Sequence, residues 1–465
     1  MHADRCQATA VLDVGKTNVK VCLVDGSGEI FALRSRPNQL GAEPYPHFEV
    51  DELFDWMLGE LRNLARLADI TALVTTTHGA AVAALSGDEL ALPVLDYEFA
   101  GPSELDAEYD AQARDFAHTF SPSLPVGLNL GRQLFWLERK FSAEFARVTD
   151  LLLYPQYFAW RLCGRKCREV TSLGCHTDLY APLESAFSRF AVLRGYDRLF
   201  PELVPAWCEL GVVRPELAAQ IGLSGACCVH AGIHDSNASY LTHRLRYSKE
   251  NRFSVVSTGT WILCMSSSSS LETLEEQKDT LANVDAFGAP VACSRFMGGR
   301  EFEILAGAEG TKIAVEQADI EALLARGALA LPCFASSGGP FRDRPGRIVG
   351  LEDDGVRSRA ALATLYSALM TDYCLDLIRV DGDCIIEGSF TQNRAYCSLL
   401  AALRPSQRVL VSTDTTGTVR GTALLSNLSS EGSPKPENPF EPVAPLVIDA
   451  LGQYQRRWRT AAEGA

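Results

Sequence analysis

Residues 8–25 read ATAVLDVGKTNVKVCLVD. Apolar and polar positions alternate on both sides of a small turn at Gly15. The stretch therefore predicts a strand, a tight turn and a second strand carrying Val19, Val21 and Leu23. A further turn at Gly26-Ser27-Gly28 leads to a strand over 29–35, then a helix over 52–68 with apolar residues three and four apart, then a buried strand over 71–76. This β-β-β-α-β order is mixed, unlike the strict alternation of a dinucleotide-binding fold. Residues 253–266, FSVVSTGTWILCMS, repeat the opening pattern around Thr258-Gly259-Thr260. Gly15 and Gly259 stand about half the chain apart, which predicts two similar halves joined near the polar stretch 242–251. The five-serine run 266–270 and the Pro/Ser/Glu-rich stretch 427–442 read as surface connections, and 446–459 as a closing amphipathic helix.

The chain has 465 residues, 47% apolar and 22% charged, which excludes a disordered or fibrous polymer and allows two to four domains with proper cores. Its 43 Lys+Arg against 58 Asp+Glu give a net charge of −15, so no broad nucleic-acid or anionic-membrane surface is expected. The 14 cysteines sit mostly in apolar runs and form no C-x-x-C pair, which predicts buried thiols in a reducing compartment, with neither a zinc site nor a disulfide framework. No run of 18 apolar residues occurs and the first residues carry no apolar leader, so a cytoplasmic location is expected.

Four turns could carry chemistry. Asp13-Val14-Gly15-Lys16-Thr17-Asn18 offers backbone N–H groups and hydroxyls to phosphate oxygens, with a carboxylate at the strand end for hydrated Mg2+. Residues 10–17 nearly match the G-x-x-x-x-G-K-[ST] loop, but Ala10 replaces its first Gly and a strand follows where that loop needs a helix. Gly232-Ile233-His234-Asp235 follows a short apolar run and precedes small, helix-starting residues. There Asp235 is either a helix cap or a general base facing a hydroxyl. Ser257-Thr258-Gly259-Thr260 is a second hydroxyl-bearing turn. Glu387-Gly388-Ser389 ends a strand, with Asn393 a turn further on.

In order and spacing, these segments resemble the FGGY carbohydrate kinases, two-domain members of the actin-like ATPase superfamily. The resemblance spans roughly 8–425 and adds Thr77-His78-Gly79, YPQYFAWRLCGR (154–165), EVTSLGCHTDLYA (169–181) and TTGTVRGTALL (415–425). It implies an α/β fold of two actin-like (ribonuclease H-like) domains with a cleft between them. Residues 1–245 would hold the sugar and the catalytic Asp, and 246–465 the nucleotide. It further implies ATP-dependent phosphorylation of a sugar's terminal hydroxyl, with Asp235 as base and Asp13 and Asp235 at Mg2+. The phosphates would meet Gly15, Lys16, Thr17, Asn18, Thr258, Gly259 and Thr260. Gly388, Ser389 and Asn393 would lie by the adenosine, and His78, Gly79, Asp96, Gln133 and His234 would face the sugar. His234 beside Asp235 is most like rhamnulokinases and points to a deoxy-ketose. Lys16 stands where the family usually has Thr, Glu387 where a Gly is common, and 331–340 matches the family's proline-rich segment loosely. The alternative is a catalytically silent sensor of the same fold. The partners expected are sugar and ATP, with no nucleic acid or membrane and with a homodimer left open.

Overall fold

The computed structural model describes residues 5–112, 114–223, 225–247, 251–267, 269–335, 338–342, 344–351, 355–412, 414, 416–428 and 440–464. The middle of the expected linker (248–250), Ser268 of the serine run, positions 336–337 of the proline-rich segment, Thr415 and most of 427–442 lie outside the described residues. The chain divides into two compact units. The first comprises Met1–Arg246, Ala282–Pro290 and Thr416–Pro436, and the second Tyr247–Leu281, Val291–Thr415 and Glu437–Ala465. The first switch falls beside the expected 245/246 boundary, but two later segments return to the first unit, so the second is not the uninterrupted 246–465.

In the first unit, β1 (Gln7–Val14) and β2 (Asn18–Val24) pair antiparallel, with Asp13 opposite Lys20. β3 (Ile30–Pro37) continues antiparallel beside β2. Helix α1 (Val50–Leu64) buries one stripe, Leu53, Phe54, Met57, Leu58 and Leu61 among them. β4 (Asp69–Thr77) returns parallel to β1. Farther along, β5 (Glu209–Val212) and β6 (Cys228–His230) pair antiparallel, and β6 runs parallel to β4. The two-residue β7 (Ile233–His234) also pairs with β4 and opens directly into α2 (Asp235–Arg244). The spatial order is β5-β6-β4-β1-β2-β3.

The second unit repeats this plan. β8 (Phe253–Thr258) and β9 (Ile262–Ser266) form the hairpin, and β10 (Pro290–Phe296) lies antiparallel beside β9. Helices α3 (Gly298–Gly310) and α4 (Gly355–Leu377) follow. β11 (Asp383–Gly388) runs parallel to β8, α5 (Arg394–Leu403) crosses over, and β12 (Val409–Ser412) runs parallel to β11. In both sheets the first three strands neighbour one another antiparallel, and two parallel strands are added on the far side of the first. That is the mixed order expected from the two hairpins.

Helix α6 (Gly417–Leu424) belongs to the first unit and covers Val11, Cys22 and Val24 with Val419 and Ala423. A Cβ on its Gly421 would lie 1.8 Å from the Ala238 carbonyl oxygen, so α6 packs on α2 backbone to backbone. The chain closes with α7 (Leu451–Glu463), whose Leu451, Tyr454, Trp458 and Ala462 are buried. Among the described residues no helix is long and apolar enough to cross a membrane.

Candidate active site

In the first unit, three strand ends meet because β1, β4 and β7 are parallel neighbours. Asp13, next to the end of β1, is buried, and its carboxylate accepts from Lys20 Nζ at 3.2 Å. Burial holds the Asp13 carboxyl above the usual carboxylate range, against the pull of Lys20, and the negative charge of Asp235 adds to the shift. The turn that follows is braced rather than loose. Gly15 N–H donates to the Asn18 carbonyl at 3.0 Å, and Asn38 Nδ2 donates to the Gly15 carbonyl at 3.0 Å. Thr17 and Asn18 stay exposed, with their side chains open to a ligand.

Asp235 is the first residue of α2. Its Oδ1 accepts from Ser236 N–H at 2.6 Å and lies 3.2 Å from His234 Nε2. The cap position itself falls to His234, whose side chain makes no cap bond, so Asp235 is not spent as a helix cap. His234 is buried, with Nδ1 3.2 Å from Asn237 Nδ2 and Nε2 4.0 Å from Cys175 Sγ. Burial opposes charge on this ring, yet the negative charges of the Cys175 thiolate and the Asp235 carboxylate beside it hold its pKa up, at about 9. Gly79 is where the two motifs meet: a Cβ there would sit 2.9 Å from His234 Nε2.

His78 is buried among the rings of Phe48, Tyr97 and Tyr154, with centroids 4.9, 5.3 and 5.2 Å away. Its Nδ1 lies 2.8 Å from the Gly79 carbonyl, which only accepts, so Nδ1 carries the proton. Burial pushes this ring's pKa down to about 4, so it is neutral at pH 7. Nε2 is then a lone-pair acceptor, buried and without a partner among the described residues. An orphaned buried acceptor of this kind asks for a hydroxyl.

Two expected site residues have other employment. Lys16, expected at the phosphates, pairs its ammonium with Asp96 and lies 3.5 Å from Glu98 Oε2, over the rings of Phe48 and Tyr97. A compact charge on a flexible stem settles on the nearest buried carboxylate, which here belongs to the expected sugar residues. Asp96 also accepts from Glu98 N–H at 3.1 Å. Gln133, expected to face the sugar, is buried and donates Nε2 to the Ala80 and Gly127 carbonyls. It fixes the loop after Gly79 and so positions the site from behind.

In the second unit, a cavity of about 870 Å³ is lined by Gly259, Thr260, Ser389 and Asn393, together with Arg300, Phe302, Lys312 and Phe390. Thr258 and Gly388 lie behind this wall. Thr258 Oγ1 donates to the Glu387 carbonyl at 2.5 Å and accepts from Phe390 N–H at 3.0 Å. Gly388 has φ +85°, and a Cβ on it would lie 2.0 Å from the Thr258 carbonyl oxygen, so only glycine fits that turn. Asn393 caps α5 through Tyr396 N–H at 3.1 Å.

Residues 250–435 match the carbohydrate kinase FGGY C-terminal domain. A carbohydrate kinase from Novosphingobium aromaticivorans, known as a crystal structure, is 35% identical over all of both chains, with a TM-score of 0.90. The chain belongs to the FGGY carbohydrate kinases. The L-fuculokinase of Escherichia coli K12 is 25% identical over 281 residues, 57% of each chain, so the match spans little more than half of that curated relative. The gluconate kinase of Lactobacillus acidophilus, at 14% identity, shares the fold, with a TM-score of 0.83 over 98% of this chain and 97% of its own. Beyond the residues expected for an FGGY kinase, the geometry adds Lys20, Phe48 and Tyr97 in the first unit and Arg300 and Lys312 in the second. Lys20 had a signal: it lies opposite Asp13 across the hairpin. The others are brought in by tertiary packing that no local pattern records.

Proposed function

We propose that this FGGY kinase transfers the γ-phosphoryl group of ATP to the terminal hydroxyl of a sugar, a ketose or deoxy-ketose such as L-rhamnulose, L-fuculose or xylulose. One observation carries the reading: His78 Nε2 is a buried acceptor without a partner among the described residues, and the partly open carboxylate Asp235 and the ammonium of Lys16 lie near enough for their charges to act on its ring. The orphan acceptor accepts a hydrogen bond from one sugar hydroxyl, and the Lys16–Asp96 pair offers a donor and an acceptor to others. Asp235, held by Ser236 N–H and facing His234, accepts the proton of the attacking hydroxyl as its oxygen bonds to the γ-phosphorus and ADP leaves with the electron pair. Exposed Thr17 and Asn18, with the backbone of their turn, suit phosphate oxygens. The cavity of the second unit has the volume of a nucleotide site, aromatic walls and three cations, Arg300, Lys312 and Arg394.

Asp13 and Asp235 fit a magnesium ion: both offer hard oxygens, and their mutual repulsion is relieved by a cation. Bound there, magnesium would neutralise phosphate charge. Lys20 already gives Asp13 part of that compensation. Coupled ADP release over a panel of ketoses, aldoses and polyols tests the reading. Turnover with a narrow set of ketoses is expected; silence across the panel from folded protein would favour the binding-only sensor.

A further inference from the structure

At the edge of the first sheet, β5 and β6 bring together three side chains that the reaction above does not use. Glu209 and His230 are register partners, and Cys228 precedes His230 by two residues, which sets all three on one face. A carboxylate oxygen of Glu209, the sulfur of Cys228 and a ring nitrogen of His230 all lie within 4.8 Å of one another. The register shifts between Glu209 and Gly211, and with Glu209 exposed and Cys228 half-buried the cluster reaches the surface. His230 is buried, and its Nδ1 lies 3.0 Å from the Trp207 carbonyl. That contact places the proton on Nδ1 and leaves Nε2 as the lone-pair nitrogen. It is the outer contact that metal-binding histidines usually make.

We propose that Glu209, Cys228 and His230 form a site for a zinc-type divalent cation, with water in the fourth position. A thiolate and an imidazole select a borderline-soft ion over magnesium or calcium, which take all-oxygen sets. Tetrahedral zinc would hold its ligand atoms about 3.5 Å apart, so side-chain rotations of about 1 Å close the site. The site is chemically distinct from the oxygen pair Asp13 and Asp235. It clamps β5 to β6, and β6 leads through Gly232 into β7 and Asp235, so a bound ion would stiffen the strand that delivers the base.

The test titrates the metal-stripped full-length protein with Co2+ and then Zn2+. One equivalent of Co2+ should give tetrahedral d–d bands and a thiolate-to-cobalt charge-transfer band, both abolished by one equivalent of Zn2+ and untouched by millimolar Mg2+. Cys228→Ser should remove the charge-transfer band. Glu209→Gln, an exposed change that leaves the fold intact by circular dichroism, should weaken Zn2+ binding about tenfold or more. A charge-transfer band that survives in Cys228→Ser, no band in the wild type, or equal Zn2+ affinity in Glu209→Gln and the wild type would each overturn the site. Should Cys228→Ser fail to fold, the Glu209→Gln comparison decides alone.

Discussion

In the proposed reaction Asp235 is the base, and among the described residues no Lys or Arg pairs with it; its charged neighbour is His234, 3.2 Å away. Asp13 has Lys20 and Asp96 has Lys16. Asp235→Asn keeps the shape and the Ser236 contact but cannot take a proton. Turnover should fall by about 10²–10⁴-fold while ADP affinity stays within about twofold, measured by coupled assay and calorimetry. Near-wild-type turnover would remove Asp235 from its role. Lys16 argues in the other direction. Its place in the glycine turn predicted a phosphate contact, yet its ammonium rests on Asp96, a partner 80 residues away that no local pattern could name. Lys16→Met keeps the stem between the rings and strands a buried carboxylate. The sugar KM should rise about tenfold, equivalent to about 1.4 kcal/mol, with the ATP KM nearly constant. A rise confined to ATP would restore the phosphate reading.

The elements show which parts of the site a sequence can announce. Hairpins were legible in 8–25 and 253–266 because alternation has one structural meaning when a small turn divides it. The strand-to-helix junction at Asp235 was legible from small residues after an apolar run. Glu169 shows the opposite case. It stands in a quoted motif, but nothing there reveals that its carboxylate caps the short helix Val170–Leu173, accepting from Thr171 N–H at 2.9 Å and Thr171 Oγ1 at 2.6 Å. Thr171 Oγ1 in turn accepts from His234 N–H at 3.0 Å, so this cap holds β7, the strand that opens into Asp235. Burial pushes the Glu169 pKa up to about 7, against the Thr171 bonds. The folded state therefore binds the extra proton between the ordinary value near 4.5 and 7. This contribution is full below that window and lost as pH rises through 7. Between pH 5 and pH 8 the wild type should lose about 2 kcal/mol relative to Glu169→Gln, read by urea unfolding at both pH values. An equal difference between the two proteins at pH 5 and pH 8 would show that the carboxyl is not forced to stay neutral.

At the scale of the molecule, the duplication was legible, but the continuity of its halves was not. Two matching hairpins announce two matching sheets; they say nothing about a helix near the far end of the chain that returns to the first one. Helix α6 does return. Val419 and Ala423 lie on Val11, Cys22 and Val24, and Gly421 touches the backbone of α2. The segment Ala282–Pro290 also belongs to the first unit, and Val284 fills the space that a Cβ on Gly174 would need. A fragment of residues 1–245 thus exposes the outer face of β1 and β2 and loosens α2, the helix that begins with Asp235. It should bind a hydrophobic dye and lose near-ultraviolet circular dichroism while keeping far-ultraviolet signal, the signature of lost packing over retained secondary structure. Gly421→Val in the intact chain attacks the same contact without truncation, because the added Cβ meets a carbonyl oxygen rather than a yielding side chain. It should cost about 3 kcal/mol in unfolding experiments. Both changes act through one face, so a fragment that melted cooperatively at the temperature of the full chain would break the argument at its root: the first sheet would then be complete without α6.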